Sequence, residues 1–186
     1  MSVALITGGH SEIGAACAAA LQARGVDVEL ADPGDASSVA SVDEIDFLLT
    51  MIDPIPVDDQ SERTVRTEPG PDEWRAMLER HVYSTAAVWR AALPGMLARG
   101  HGAICAITSD RGLTGEPSAP HYAAANGAIH TMAKALAAEV APHGVRVNCL
   151  AVGATERDRI AAAACFILLE DTNLLGQVLS PTAGMV

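Results

Sequence analysis

The chain has 186 residues, a formal net charge of −11, an apolar fraction of 49% and aromatic side chains at only 3%. That length fits a single domain, 1–186, with ample Ala, Val, Leu and Ile for a core. The acidic balance argues against nucleic acid or an anionic membrane as partner, since both reward clustered Lys and Arg. Cys17, Cys105, Cys149 and Cys165 are widely spaced with no Cys-x-x-Cys pair, which reads as four reduced core thiols rather than a metal or disulfide framework.

The apolar run Val3 to Thr7 begins almost at the terminus and stops at Gly8-Gly9, as a buried parallel strand would. No signal peptide is expected before it. Glu12 to Arg24 is an Ala-rich helix closed by Gly25. Val26 to Ala31 is a second strand, ended by the turn Asp32-Pro33-Gly34. Ser37 to Glu44 has room for two helical turns, and Ile45 to Ile52 is a third strand. The polar, proline-bearing stretch Asp53 to Gly70 reads as a long loop.

Pro71-Asp72-Glu73 opens a long helix to about Ala98, with acids at the positive end of its dipole and a bend expected at Pro94. Ala103 to Ser109 is a fourth strand, Asp110 to Pro120 a loop, and Tyr122 stands at the entry of an apolar helix reaching Val140. Strand Val145 to Ala151, helix Glu156 to Glu170 and strand Gln177 to Ser180 complete the chain. The longest apolar run, Ile160 to Leu169, is half the ~20 residues a membrane span needs, and a cytoplasmic protein is expected. Strands alternating with helices specify an α/β fold: a Rossmann-like, doubly wound parallel sheet of about six strands with helices on both faces.

Several motifs then fall in register. Thr7-Gly8-Gly9-His10-Ser11-Glu12-Ile13-Gly14 resembles the Thr-Gly-x-x-x-Gly-x-Gly cofactor loop of the short-chain dehydrogenase/reductase family. Trp74 to Gly102 resembles its long helix. Ser109 lies thirteen residues before Tyr122, like its catalytic serine and tyrosine, and Ala141 to Asn148 and Gly176 to Leu179 resemble its last two strand entries. The resemblance implies that Tyr122 exchanges the substrate hydroxyl proton while Ser109 polarises the same oxygen. It also implies that Gly8, Gly14 and Asp32 hold NAD.

The chain departs from that family at several places. Only twelve residues, 33–44, separate Asp32 from Ile45, so the family's edge strand beside the adenine is expected to be missing. Eight helical residues rising ~12 Å suffice to reach a strand two positions away, at ~10 Å. After Gly153 the chain passes straight into a helix, and the family's substrate-binding lid is expected to be missing too.

Glu12 replaces the loop's middle glycine and puts a carboxylate beside the pyrophosphate position. His81 stands for the catalytic asparagine, and Asn126 for the lysine one turn after Tyr122. Without that cation, a phenol of pKa ~10 is about 0.1% ionised at neutral pH. A Ser109–Asp110–His121 hydrolase triad lacks a nucleophile elbow, and a His10–His81–His121 metal site lacks supporting acid or cysteine spacing.

These features lead to an expected catalytically degenerate subunit with no metal and no or weak NAD(H) binding. It would be a structural or regulatory partner in an oligomeric, homomeric or heteromeric, NAD-dependent alcohol/ketone dehydrogenase. The family's pairing implies contacts through helices 74–98 and 122–140 and the C-terminal segment 160–186, with itself or an active paralogue. The alternative is an active NAD(P)(H)-dependent oxidoreductase using His81–Ser109–Tyr122–Asn126.

Overall fold

The computed structural model describes residues 2–42, 44–51, 69–117, 119–153, 156–170 and 173–181. Six strands form one parallel sheet: β1 (Val3–Thr7), β2 (Asp27–Ala31), β3 (Phe47–Met51), β4 (Gly102–Ser109), β5 (Val145–Val152) and β6 (Val178–Leu179). Their order is β2-β1-β3-β4-β5-β6, every neighbouring pair parallel. β3 and β4 are buried along nearly their whole length, with no alternation of buried and exposed residues, because both faces are covered.

Helices α1 (Glu12–Gln22) and α6 (Arg157–Leu169) cover one face. Their side chains Cys17, Leu21, Ile160 and Ile167 close on Ile6, Leu49 and Cys105 of the sheet. The other face carries α3 (Ser84–Arg99) and α5 (Pro120–Val140), which bury Trp89, Met96, Ile129 and Ala133 against Leu48 and Ile104. Close approach of these helices follows from the alanines that make up for the scarcity of aromatic residues. All four cysteines are buried and unpaired, and burial pushes the thiols of Cys17 and Cys149 up to about 12.

β2 is the edge of the sheet among the described residues, so the edge strand expected to be absent is absent there. Between β2 and β3 the described residues form only the single turn Ser38–Ser41 of 3₁₀ helix, shorter than the two helical turns expected over Ser37 to Glu44. Four residues, 153–156, separate the end of β5 from the start of α6. That connection has no room for a helical lid. The stretch expected to form the long loop lies, from Ile52 to Glu68, outside the described residues.

Three local expectations are corrected. The long helix is divided into α2 (Pro71–Leu78) and α3 by a five-residue π turn, Glu79–Tyr83. The departure from α geometry is therefore there, and α3 continues through Pro94 to Arg99. A wide turn inserts one residue and re-aims the side chains within it; His81 consequently points inward and is 2% exposed. The segment after β4 contains a one-turn helix, α4 (Arg111–Thr114), in place of a plain loop. The last strand is two residues, narrower than Gln177 to Ser180. No helix among the described residues is long and apolar enough to cross a membrane.

Candidate functional site

Strand ends of a parallel sheet point their carboxyl termini into a crevice, and two groups of residues meet there. The first is built on α5. Tyr122, Asn126 and His130 recur every four residues and so share one face, turned towards the end of β4. All three are buried. The Asn126 carboxamide oxygen accepts the Ser109 backbone N–H at 2.8 Å, and its nitrogen donates to the Tyr122 carbonyl at 2.9 Å. One side chain thus ties the strand end to the helix. His130 Nε2 and Thr108 Oγ1 lie 2.8 Å apart one turn below.

The Tyr122 phenol is pushed above its ordinary value by burial, while hydrogen bonding with Ser109 and Asn126 pulls the other way. Asp110 adds to the rise and Arg111 opposes it. The phenol is accordingly neutral at pH 7. Ser109 Oγ also accepts the Arg111 N–H at 3.2 Å, and the Arg111 guanidinium lies 3.3 Å from the buried Glu116 carboxylate. His81 meets the Tyr122 ring edge-on, centroids 5.6 Å apart. Burial, with Arg80 and His121 nearby, lowers the His81 pKa to about 4, and its Nε2 has no hydrogen-bond partner among the described residues. His121 packs on Trp74 at 6.1 Å.

Ser109, Tyr122, His81 and Asn126 are therefore brought together. The other candidate triad and the metal cluster are not assembled as such. His121 faces Trp74, His10 is exposed, and no group of three or more His, Cys, Asp or Glu able to hold a metal forms among the described residues. Sequence reasoning missed His130, Thr108 and Arg111. The polar i, i+4, i+8 row on an otherwise apolar helix face was the available signal for His130.

The second group is the glycine turn between β1 and α1. Gly8 has φ +78°, a left-handed conformation that favours glycine. A Cβ on Gly14 would stand 2.6 Å from Gly9 Cα and 2.7 Å from the Gly8 oxygen, so only glycine lets α1 close on the turn. The cradle's shape is kept. Its donors and charge are altered: Ser11 Oγ takes the Gly14 N–H at 3.1 Å, and Glu12 projects exposed from the first helical turn. Asp32 is exposed beyond the end of edge strand β2. At the end of β3, Thr50 Oγ1 accepts the Trp89 indole N–H at 3.2 Å.

Residues 61–164 match the family model described as short chain dehydrogenase. The chain belongs to the short-chain dehydrogenase/reductase family. It is 34% identical over 135 residues to the uncharacterized oxidoreductase YmfI of Bacillus subtilis, covering 58% of this chain and 56% of that relative. The chain thus spans little more than half the length of that relative. It is 39% identical over 82 residues to the inactive 2-(S)-hydroxypropyl-CoM dehydrogenase 2 of Xanthobacter autotrophicus, covering 44% of this chain and 36% of that one. Among solved structures, a 3-oxoacyl-[acyl-carrier protein] reductase with bound NAD from Brucella melitensis superposes with a TM-score of 0.83 at 25% identity, covering 97% of this chain and 89% of the other.

Proposed function

We propose that this chain is a short-chain dehydrogenase/reductase subunit without catalysis of its own, a structural or regulatory partner in an oligomeric NAD-dependent alcohol/ketone dehydrogenase. The observation that carries this reading is Asn126. It stands where the family places a lysine, and both ends of its amide are bonded to backbone, to Ser109 and to Tyr122. It supplies no positive charge, and burial raises the phenol's pKa further. Proton exchange at Tyr122 is slow in such a setting. That a similar chain from Xanthobacter autotrophicus is itself named inactive supports the reading.

NAD(H) binding is weak or absent in this reading. An exposed Glu12 carboxylate beside the glycine turn disfavours a pyrophosphate, Ser11 occupies one of the N–H donors, and among the described residues no strand walls β2. These residues do not fit the dinucleotide as the family's glycine loop does. Assembly through α3, α5 and the C-terminal segment 160–186 is the function that remains. Calorimetric titration with NADH and a carbonyl-reduction assay test it. No binding at micromolar concentration and no turnover are expected; micromolar binding that disappears in Asp32→Ala, together with turnover, overturns it.

A second reading is favoured by one observation, the hydrogen bonding of Ser109 with Tyr122. A protonated phenol polarised by a serine is the form that donates a proton to a carbonyl oxygen. The reductase-like superposition agrees with a reaction in that direction. In this alternative His81, Ser109, Tyr122 and Asn126 line the reacting carbonyl, and Tyr122→Phe abolishes turnover.

A further inference from the structure

Little holds α2 to the rest of the molecule. Of its eight residues only Met77 is buried. Its side-chain bonds stay local: Arg75 pairs with Asp72 at 2.7 Å, and Glu73 accepts the Gly70 N–H at 2.8 Å. Among the described residues no side-chain hydrogen bond or ion pair ties α2 to another helix. The tie is a small apolar cluster of Met77, Tyr122 and Ala125, flanked by Leu78, Val82 and Ala119. That cluster is separate from the two that line the faces of the sheet. Segment 71–83 is thus a unit that can part from α5 without disturbing the sheet.

Two imidazoles stand in the seam between this unit and α5. His81, on the π turn, is buried edge-on to Tyr122 with Nε2 unpartnered among the described residues. His121, on α5, packs on Trp74 of α2, and its buried Nδ1 is likewise unpartnered. A neutral imidazole leaves one bond unmade there, whereas an imidazolium brings a second donor and a charge to satisfy.

Nothing around His81 answers that charge. Arg80 in its own turn and His121 on α5 both oppose it, and Tyr122 is neutral. Glu79 and Tyr83 of the turn are exposed, as are Arg90 and Arg99 of α3, and the acids of α2 are engaged as described. Burial, followed by these two cationic groups, holds the His81 pKa at about 4 in the closed seam, against 6.5 in water. The open form therefore binds the proton more strongly. The seam is shut above pH 6.5 and is drawn open as pH falls towards 4.

We propose that α2 and the π turn form an acid-operated cover: protonation of His81 releases segment 71–83 from α5 and uncovers Tyr122 while the sheet stays folded. The cover goes beyond the reading above and works whether or not the chain turns over a substrate. Trp74 leaves with it, while Trp89 stays in the core, bonded to Thr50.

Hydrogen exchange on the full chain, resolved by mass spectrometry, reads each segment separately. After correction for the intrinsic rate, the opening constant of 71–83 is expected to rise by up to about tenfold per pH unit as pH falls from 6.5 towards 4. Strands β4 and β5 keep their protection over the upper part of that range. His81→Asn cannot take the proton and is expected to flatten the dependence, whatever it does to the opening constant itself. Protection of 71–83 that does not change with pH overturns the proposal. So does protection lost in step with β4 and β5, which is unfolding of the whole chain, or a slope unaltered in His81→Asn. The wild-type comparison of segments decides the matter by itself if that variant fails to fold.

Discussion

The two faces of α5 contrast sharply. Its sheet-facing row, Tyr122, Asn126 and His130, is polar, buried and held to β4 through Ser109 and Thr108. Its outer row, Met132, Ala135, Leu136 and Glu139, is mostly apolar and faces a groove. In most globular helices the apolar face turns inward and the polar face meets water. Here the inner row is polar and bonded to the sheet, and the outer row is mostly apolar and faces the groove. One helix carries both because buried polar groups are kept where each finds a hydrogen-bond partner, as Asn126 does at Ser109, while exposed apolar groups need none.

Acid breaks the inner row most strongly. Burial lowers the His81 and His130 pKa values to about 4 from an ordinary value near 6.5. The unfolded chain then binds more protons than the folded one between pH 6.5 and pH 4. Stability is full above pH 6.5 and falls as pH drops through that window. Allowing for screening, the pair costs about 2–3 kcal/mol between pH 7 and pH 5. Urea unfolding across pH measures it, and His130→Leu is expected to remove roughly half of the slope; an unchanged slope contradicts the buried neutral imidazole.

Gly14→Ala probes the glycine turn, since its Cβ meets backbone that no rotamer change relieves. A loss of about 3 kcal/mol in chemical unfolding is expected. Asn126→Ala comes next, leaving the part-buried Ser109 N–H without its acceptor while the Tyr122 carbonyl keeps its helical bond, at about 2 kcal/mol. The same variant lowers stability without changing self-association, which separates the inner row from the outer. The smallest effect on folding belongs to Ala135→Glu. Exposed on the groove, it changes unfolding free energy by no more than about 0.5 kcal/mol under dilute conditions, yet it is expected to abolish sedimentation as a dimer.

Much of this was legible in the chain, and particular residues show why. Ser109, Tyr122 and Asn126 were placed together by their resemblance to the family's serine, tyrosine and lysine positions, and strand ends and helix starts in a parallel fold do converge on one crevice. The twelve residues between Asp32 and Ile45 limited the crossover, so the bare edge at β2 followed from chain length alone. His81 was less legible. Its inward aim depends on the π turn Glu79–Tyr83, and an inserted residue in a helix leaves no periodic mark over so short a span. Pro94 gave no sign of that turn either: proline marks a missing donor, while the wide turn answers to what the helix packs against.

The amino-acid sequence by itself determined the order of strands and helices, the glycine turn, the short crossover after β2 and the neutral residue one turn after Tyr122. Those depend on local periodicity, turn chemistry and segment length, which act over a few residues. Only the tertiary structure decided that Asn126 clamps the Ser109 backbone across 17 residues and that His130 reaches Thr108 across 22. It alone placed His81 edge-on to Tyr122 and left a groove between α3 and α5. Such contacts join residues far apart in the chain, and they exist only once helices have docked on the sheet at a particular distance and rotation.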